Sequence, residues 1–394
     1  MTGIRIGFDI SQTGERKAGC GYFAASLGRS LIAGDRANEY LLYPYFGTSI
    51  WDDGAAAAFG TDNHGNARTI VIGNTPHECQ SFWKNLPADG ERRLGNPDIV
   101  HANNYYCPTA LQKAKLVYTL YDMSFVIHPE FTTEANRSIC FDGVFAASCH
   151  ADFIVAISDY SRKTFLEVFP HYPPDRVRVI PLGSRFSSEQ RQDKCGALKE
   201  LKPDAFWLSV GTLEPRKNLR RLLKAYAMLV HKEPSTRQLV LAGGRGWLED
   251  GLNEFIQNLG MGERVKILGY VTDADLCWLY KNCFAFIYPS IYEGFGLPVL
   301  EALSLGAAVI TSNTTSLPEV AGDAACYVNP SSVEDIVAAM VKLGSNSGYR
   351  FQLRSIAGFQ AAKFSWRRCA AEVLEIYQKV MESPKLNSAT QRSE

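Results

Sequence analysis

Short apolar runs rich in β-branched and aromatic residues alternate with longer helical patterns along all 394 residues of this chain. A first set covers 4–10, 40–45, 69–72, 98–102, 115–120, 153–157 and 177–181. A second covers 206–210, 238–242, 265–268, 284–288, 307–311 and 325–328. Runs that are apolar on both faces and separated by helices must be covered on both sides, which is the signature of parallel strands. Two such sets in succession predict an α/β chain of two doubly wound domains. The polar stretch 184–203, SRFSSEQRQDKCGALKELKP, carries no strand pattern and separates them. The expected division is 1–190 and 191–364, with a polar tail at 383–394.

Charge and cysteine usage narrow the function classes. Lys+Arg and Asp+Glu are equal at 41 each, so no overall field favours nucleic acid or an anionic surface. The ten cysteines are scattered without a C-x-x-C pair or metal-ligand spacing, which fits reduced thiols in a cytoplasmic protein. The start MTGIRIGFDI alternates like a strand, and no run of about 18 apolar residues is present to span a membrane.

In open α/β sheets ligands sit beyond the carboxyl ends of the strands, so the residues following each strand are the candidates. Residues 11–22 contain Gly14, Gly19 and Gly21 ahead of a helical pattern, YFAASLGRSLI. Such a loop lets bare backbone approach a phosphate, and a tight turn would equally explain it. Its spacing is not G-x-G-x-x-G. His101 follows the fourth run, where a satisfied structural histidine is the plainer reading. Tyr121 and Asp122 follow the fifth run, which places an acid at a cleft mouth. Ser158 or Asp159 reads as a helix cap.

In the second half, EPRKN after FWLSV offers Arg216 and Lys217 at a strand-to-helix junction. There they could bind a diphosphate without a metal, Arg as a fork and Lys as a point charge. The segment 242–247, AGGRGW, resembles a truncated glycine loop. Asp273 and Asp275 in TDAD form a D-x-D pair, but their place before LCWLYKNC reads as a helix cap and first turn rather than a metal site. The stretch 289–310, PSIYEGFGLPVLEALSLGAAVI, carries Glu293 and Glu301 around a Gly-Phe-Gly turn. Pro298 marks a helix start, which sets Glu301 about one turn inside the helix and near its positive end. Unpartnered amides at that end suit an anion.

The blocks VGTLEPRKN, LAGG, VKILGYVTDADLCWLY, YPSIYEGFGLPVLEAL and TSNTTSLPEVAGDAACYVNP, in this order, resemble the C-terminal domain of glycosyltransferase family 4. Glu293 and Glu301 match that family's E-x7-E pair. The first half agrees more loosely through the glycine loop, YTLYDMSFVIHPE and DFIVAISDYSRK, and the resemblance runs from residue 4 to residue 380. It implies the GT-B fold, with two facing Rossmann-like domains, a cleft between them, and a last helix at 365–382 crossing back to the first.

The resemblance also implies roles. Glu301 would bind the ribose hydroxyls and Glu293 would face the donor sugar. Lys217 with Arg216 would neutralise the leaving diphosphate. The backbone of Phe295, Gly296 and Leu297 would approach sugar or phosphate, and Gly269, Tyr270 and Val271 would contact the base. Gly19 and Gly21 would supply amides near the phosphates. Two positions depart from the pattern. Thr212 stands where many relatives carry an arginine five positions before the lysine. Tyr121 stands where a histidine usually precedes the Asp, which leaves His101 or Asp122 as substitutes.

The implied reaction is metal-free transfer of a hexose from a nucleotide sugar to a glycan acceptor, with retention of configuration. The wording of TLEPRKN and SLPEVAGDA is closest to mannosyltransferases of bacterial surface-polysaccharide assembly, so GDP-mannose is the expected donor and UDP-hexose its rival. A nucleotide-sugar 2-epimerase and a non-catalytic nucleotide-sugar-binding protein are the readings from other classes. A lipid-linked acceptor would bring the protein to the inner face of the membrane. For that contact Trp83, Lys84, Arg92 and Arg93 are candidates, against a reading in which they form an ordinary solvated surface.

Overall fold

The computed structural model describes residues 3–15, 17, 19–48, 53–60, 65–73, 75–187, 198–244, 246 and 251–386. The chain divides into two compact units. One comprises Met1–Ile127, Glu134–Gly183 and Ser365–Glu394, and the other His128–Thr133 and Ser184–Phe364. The changeover lies at 183/184; the boundary expected at 190/191 lies outside the described residues, as does 387–394 of the tail.

The first unit holds a seven-stranded sheet of β1 (Arg5–Asp9), β2 (Glu39–Tyr43), β3 (Ala67–Thr69), β4 (Ile99–Ala102), β5 (Lys115–Leu120), β6 (Phe153–Ala156) and β7 (Val177–Val179). Its order is β3-β2-β1-β4-β5-β6-β7, with parallel pairing. The second unit holds β8 (Phe206–Val210), β9 (Gln238–Ala242), β10 (Val265–Gly269), β11 (Ala285–Tyr288), β12 (Val309–Ser312) and β13 (Ala325–Val328). Their order, β10-β9-β8-β11-β12-β13, is also parallel. In each sheet the order reverses beside its first strand, the place where doubly wound sheets bind ligands.

Burial explains why these runs form strands. Every residue of β4, β6, β11 and β12 is buried, as expected of strands covered on both faces. Helix Leu219–Lys232 lays Leu222, Leu223 and Tyr226 on Leu239, Leu241, Ile287 and Ile310. Each leucine buried there contributes about 2 kcal/mol from its apolar surface. In the first unit Val144 and Ala147 of helix Glu134–His150 join Val100, Leu116, Tyr118 and Ile154.

Some boundaries moved. The run read as 307–311 is the strand Val309–Ser312, because Ala307 still belongs to the capping turn of helix Leu297–Ser304: its amide donates to the Ala302 carbonyl, after Gly306 at φ +74°. The pattern read from Tyr22 is the helix Gly19–Gly34, so Gly19 and Gly21 lie in its first turn rather than in a loop. A Cβ on Gly21 would come within 2.1 Å of the Gln12 carbonyl oxygen, which explains that glycine by close approach.

Helix Trp366–Glu382 packs in the first unit, with Trp366 edge-on to Phe23 at 6.0 Å. Trp83 corrects the surface cluster. It is 3% exposed, its ring lies 4.4 Å from Phe46, and its indole N–H donates to the Tyr45 carbonyl. Its neighbours have ordinary surface roles: Arg92 pairs with Asp89, and Arg93 lies over Phe82. No helix among the described residues is long and apolar enough to cross a membrane.

Candidate functional site

Strands β8 and β11 flank the reversal of the second sheet, and the site grows from their carboxyl ends. After β8 the chain passes Gly211 into a 3-10 turn, Pro215–Lys217, and leaves it through Asn218 at φ +62°. The Asn218 amide group donates to the carbonyls of Pro289 (3.0 Å) and Pro330 (2.7 Å), anchoring the turn beside the end of β11. In return, the Ile291 amide donates to the Arg216 carbonyl at 2.8 Å. The two loops are thus clamped together through backbone. Gly243, after β9, lets a third loop close in, since a Cβ there would stand 1.9 Å from the Gly211 carbonyl oxygen. The rest of that glycine segment includes positions 245 and 247, outside the described residues.

Within this frame Glu293 is buried and surrounded by donors. Its Oε1 accepts from Lys217 Nζ at 2.6 Å and Tyr288 OH at 2.7 Å, and lies 2.6 Å from Ser290 Oγ. Its Oε2 accepts from Arg216 Nη1 at 2.6 Å. Burial alone would raise this carboxyl, but Arg216 and Lys217 outweigh it and hold the group down at about 2. Burial, reinforced by Arg216, lowers Lys217 in turn, against the pull of Glu293 and Glu214. Glu214 is 1% exposed, with Oε1 2.5 Å from Arg216 Nε, a charge pairing without an aligned hydrogen bond. Arg216 and Lys217 therefore meet Glu214 and Glu293 in a charge-balanced, water-poor cluster. Cations held this rigidly can stabilise negative charge that develops beside them.

Glu301 lies in a second cluster. Pro298 sits in the first turn of helix Leu297–Ser304, and Gly296 caps it at φ +103°. A Cβ on Gly296 would meet Leu317 Cδ2 at 2.7 Å, so glycine is needed for both conformation and space. Phe295 is buried edge-on to Phe364, and Leu297 is half-buried. Glu301 accepts from Arg185 Nε at 2.5 Å and from Tyr280 OH at 3.1 Å. Burial pushes its carboxyl up, against Arg185 and Tyr280. Of the other residues named from sequence, Thr212 is exposed, Gly269 ends β10 at φ +69°, Tyr270 is exposed and Val271 half-buried.

The D-x-D pair resolves differently from its reading as cap and first turn. Thr272 is the cap of helix Asp273–Asn282, so both acids lie in the first turn. Asp273 pairs with Arg185, and Asp275 Oδ2 accepts from the Thr272 hydroxyl. Among the described residues no group of three His, Cys, Asp or Glu side chains could hold a metal ion.

In the first unit, His101 is buried, with Nδ1 2.6 Å from Tyr377 OH and Nε2 2.9 Å from Thr119 Oγ1. Burial lowers it to about 3, so it is a neutral structural histidine and not a substitute for the missing one. The Tyr121 hydroxyl donates to the Asn103 carbonyl at 2.6 Å, and its ring meets Phe23 edge-on. Asp122 is half-buried, its Oδ1 accepting from the amide and hydroxyl of Ser124. Ser158 caps helix Asp159–Val168.

The structure thus joins Glu293, Arg216 and Lys217 in one cluster, sets Glu301 in another, and leaves Tyr121, Asp122, Gly19 and Gly21 in the first unit. Sequence reasoning missed Glu214, Tyr288, Ser290, Tyr280 and Arg185. The first three were visible as neighbours of motif residues at strand ends. Arg185 and Tyr280 carried no local signal.

Residues 191–358 match the model of glycosyl transferases group 1, and residues 52–184 that of glycosyltransferase family 4. The chain is 35% identical over 284 residues to O-antigen chain mannosyltransferase B of Escherichia coli, covering 71% of this chain and 74% of that protein. It is also 35% identical over 248 residues to the serotype-specific mannosyltransferase WbdA of Escherichia coli, covering 61% of this chain but 30% of that longer protein. Among solved structures, HepE of Anabaena in complex with UDP and glucose matches with a TM-score of 0.72 at 18% identity, over 95% of this chain and 100% of that one. WaaG, a glycosyltransferase involved in lipopolysaccharide biosynthesis, matches at 0.68 and 16% identity, over 94% and 98%.

Proposed function

The chain belongs to glycosyltransferase family 4, with the GT-B fold, and on that premise we propose that it transfers mannose from GDP-mannose to a growing glycan with retention of configuration. The place proposed for the reaction is the assembly of a surface polysaccharide. The mannosyltransferase relatives at 35% identity support the choice of sugar. The observation that carries the chemistry is the cluster of half-buried Arg216 with buried Lys217 and Glu293, held by 2.6 Å contacts in the loops after β8 and β11.

In this reading the bond between the anomeric carbon and the β-phosphate oxygen breaks, and its electron pair stays on that oxygen. Arg216 and Lys217 stabilise the charge as it develops, which is the role of preorganised donors. The acceptor hydroxyl adds on the face the phosphate leaves, and its proton passes to the departing phosphate oxygen. Glu293 faces the donor sugar and Glu301 the ribose. Phe295, Gly296 and Leu297 offer backbone to sugar or phosphate, while Gly269, Tyr270, Val271 and Thr212 line the nucleotide side. With these cations in place no divalent metal is needed, so chelation should leave the rate unchanged.

The test pairs a thermal-shift screen of GDP, UDP, ADP and their sugars with product analysis on purified protein. A rise in melting temperature with GDP-mannose and formation of an α-mannoside support the reading. A response to UDP-sugars alone would replace the donor. Binding without hydrolysis or transfer of any nucleotide sugar would point to a non-catalytic protein. The acceptor is proposed to be lipid-linked, with peripheral contact at the inner face of the membrane. Failure to co-sediment with liposomes, with or without anionic lipid, removes that contact.

A further inference from the structure

Arg185 lies just beyond the changeover at 183/184 and belongs to no motif, yet it joins two helices of the second unit. Its Nε donates to Glu301 Oε1 at 2.5 Å, its Nη2 approaches Glu301 Oε2 at 3.4 Å, and its Nη1 meets Asp273 Oδ1 at 3.0 Å. The guanidinium also lies 4.9 Å from the Phe186 ring, which packs 6.2 Å from Tyr280. The head group is therefore held between helix Leu297–Ser304 and the first turn of helix Asp273–Asn282.

We propose that Arg185 is a positioning residue of the donor site, holding the Glu301 carboxylate as an oriented anion that accepts from the two ribose hydroxyls of the nucleotide. The inference rests on the assignment of Glu301 to the ribose. A carboxylate offers about four acceptor sites. The bonds from Arg185 Nε and Tyr280 use one on each oxygen, and the 3.4 Å contact is weak. These bonds leave acceptor capacity on both oxygens, which is what a vicinal diol requires. A buried carboxyl without its cation tends to protonate, and protonation turns one of those acceptor sites into a donor that a ribose hydroxyl's O–H cannot use. Among the described residues, the charged and titratable groups that act most on Glu301 are Arg185, Asp273 and Tyr280, and of these Arg185 alone favours the anion by its charge. Lysine would keep the charge but not the side-on fork.

The test is calorimetric titration of GDP and, in parallel, UDP into wild type, R185Q, R185K and E301A at pH 6 and pH 8.5, with donor KM and kcat beside it. R185Q should weaken nucleotide binding about tenfold at pH 6 and less at pH 8.5, raising donor KM while kcat changes little. R185K should recover the wild-type pH profile and part of the affinity, which a merely structural loss would not do. R185Q binding within twofold of wild type at both pH values, while E301A is weakened, overturns the role of Arg185 alone. E301A binding as tightly as wild type overturns the ribose assignment and this inference with it.

Discussion

Replacing Lys217 with methionine removes a cation but keeps most of the side-chain volume beside Gly211, whose added Cβ would sit 3.3 Å from Lys217 Cε. Lys217 Nζ is 2.6 Å from Glu293 Oε1, a separation at which an effective dielectric of about 20 gives a gross attraction of about 6 kcal/mol. Desolvation of both ions consumes much of that, and removing one partner of a buried pair costs about 3–5 kcal/mol. Arg216 still pairs with Glu293, so the lower end, about 3 kcal/mol, is expected for K217M in urea-induced unfolding. The catalytic loss is separate. If Lys217 stabilises the leaving diphosphate, turnover falls by at least tenfold, or about 1.4 kcal/mol of barrier, and by up to 10²–10³-fold if it acts as a single oxyanion-type donor. Steady-state transfer from GDP-mannose, read as kcat at saturating donor, separates the two. Turnover near wild type in a folded K217M protein would refute the diphosphate role. A stability change under about 1 kcal/mol would refute the coupling to Glu293.

Other consequences can be read the same way. E301A should raise donor KM about tenfold or more with kcat within a few-fold, and an equal fall in kcat would place Glu301 in the chemical step instead. Burial holds His101 at about 3 against an ordinary 6.5, so between those values the folded protein binds fewer protons than the unfolded chain. That contribution is complete above pH 6.5 and lost as pH falls, up to about 2 kcal/mol by pH 5. H101Q should flatten the fall in stability between pH 7 and pH 5, and an unchanged slope counts against the assignment. G296A places a side chain at φ +103° and within 2.7 Å of Leu317, and should cost about 2–3 kcal/mol by thermal or urea unfolding.

The strands and their parallel character were determined locally, because a run such as FWLSV or AFIY can be buried on both faces only inside a covered sheet. The same holds for which residues follow the strands: Arg216 and Lys217 stand in the loop after β8 and Glu293 in the loop after β11. Local reading failed where contacts join distant segments. Trp83 looks like a surface aromatic beside Lys84, but tertiary packing against Phe46 and Tyr106 buries it. His101, by contrast, has a satisfied structural role as its plainer reading from sequence, and the structure supplies the partners, Thr119 and, far along the chain, Tyr377. Tyr121 has a hydroxyl to offer until the Asn103 carbonyl claims it. The charge state of Glu293 likewise depends on Arg216 and Lys217 meeting it across 77 and 76 positions of sequence, and the neighbour that holds Glu301, Arg185, lies 116 positions away. Residue type and spacing determine which groups stand at the ends of strands; whether each is desolvated, paired or already spent is a property of the assembled fold.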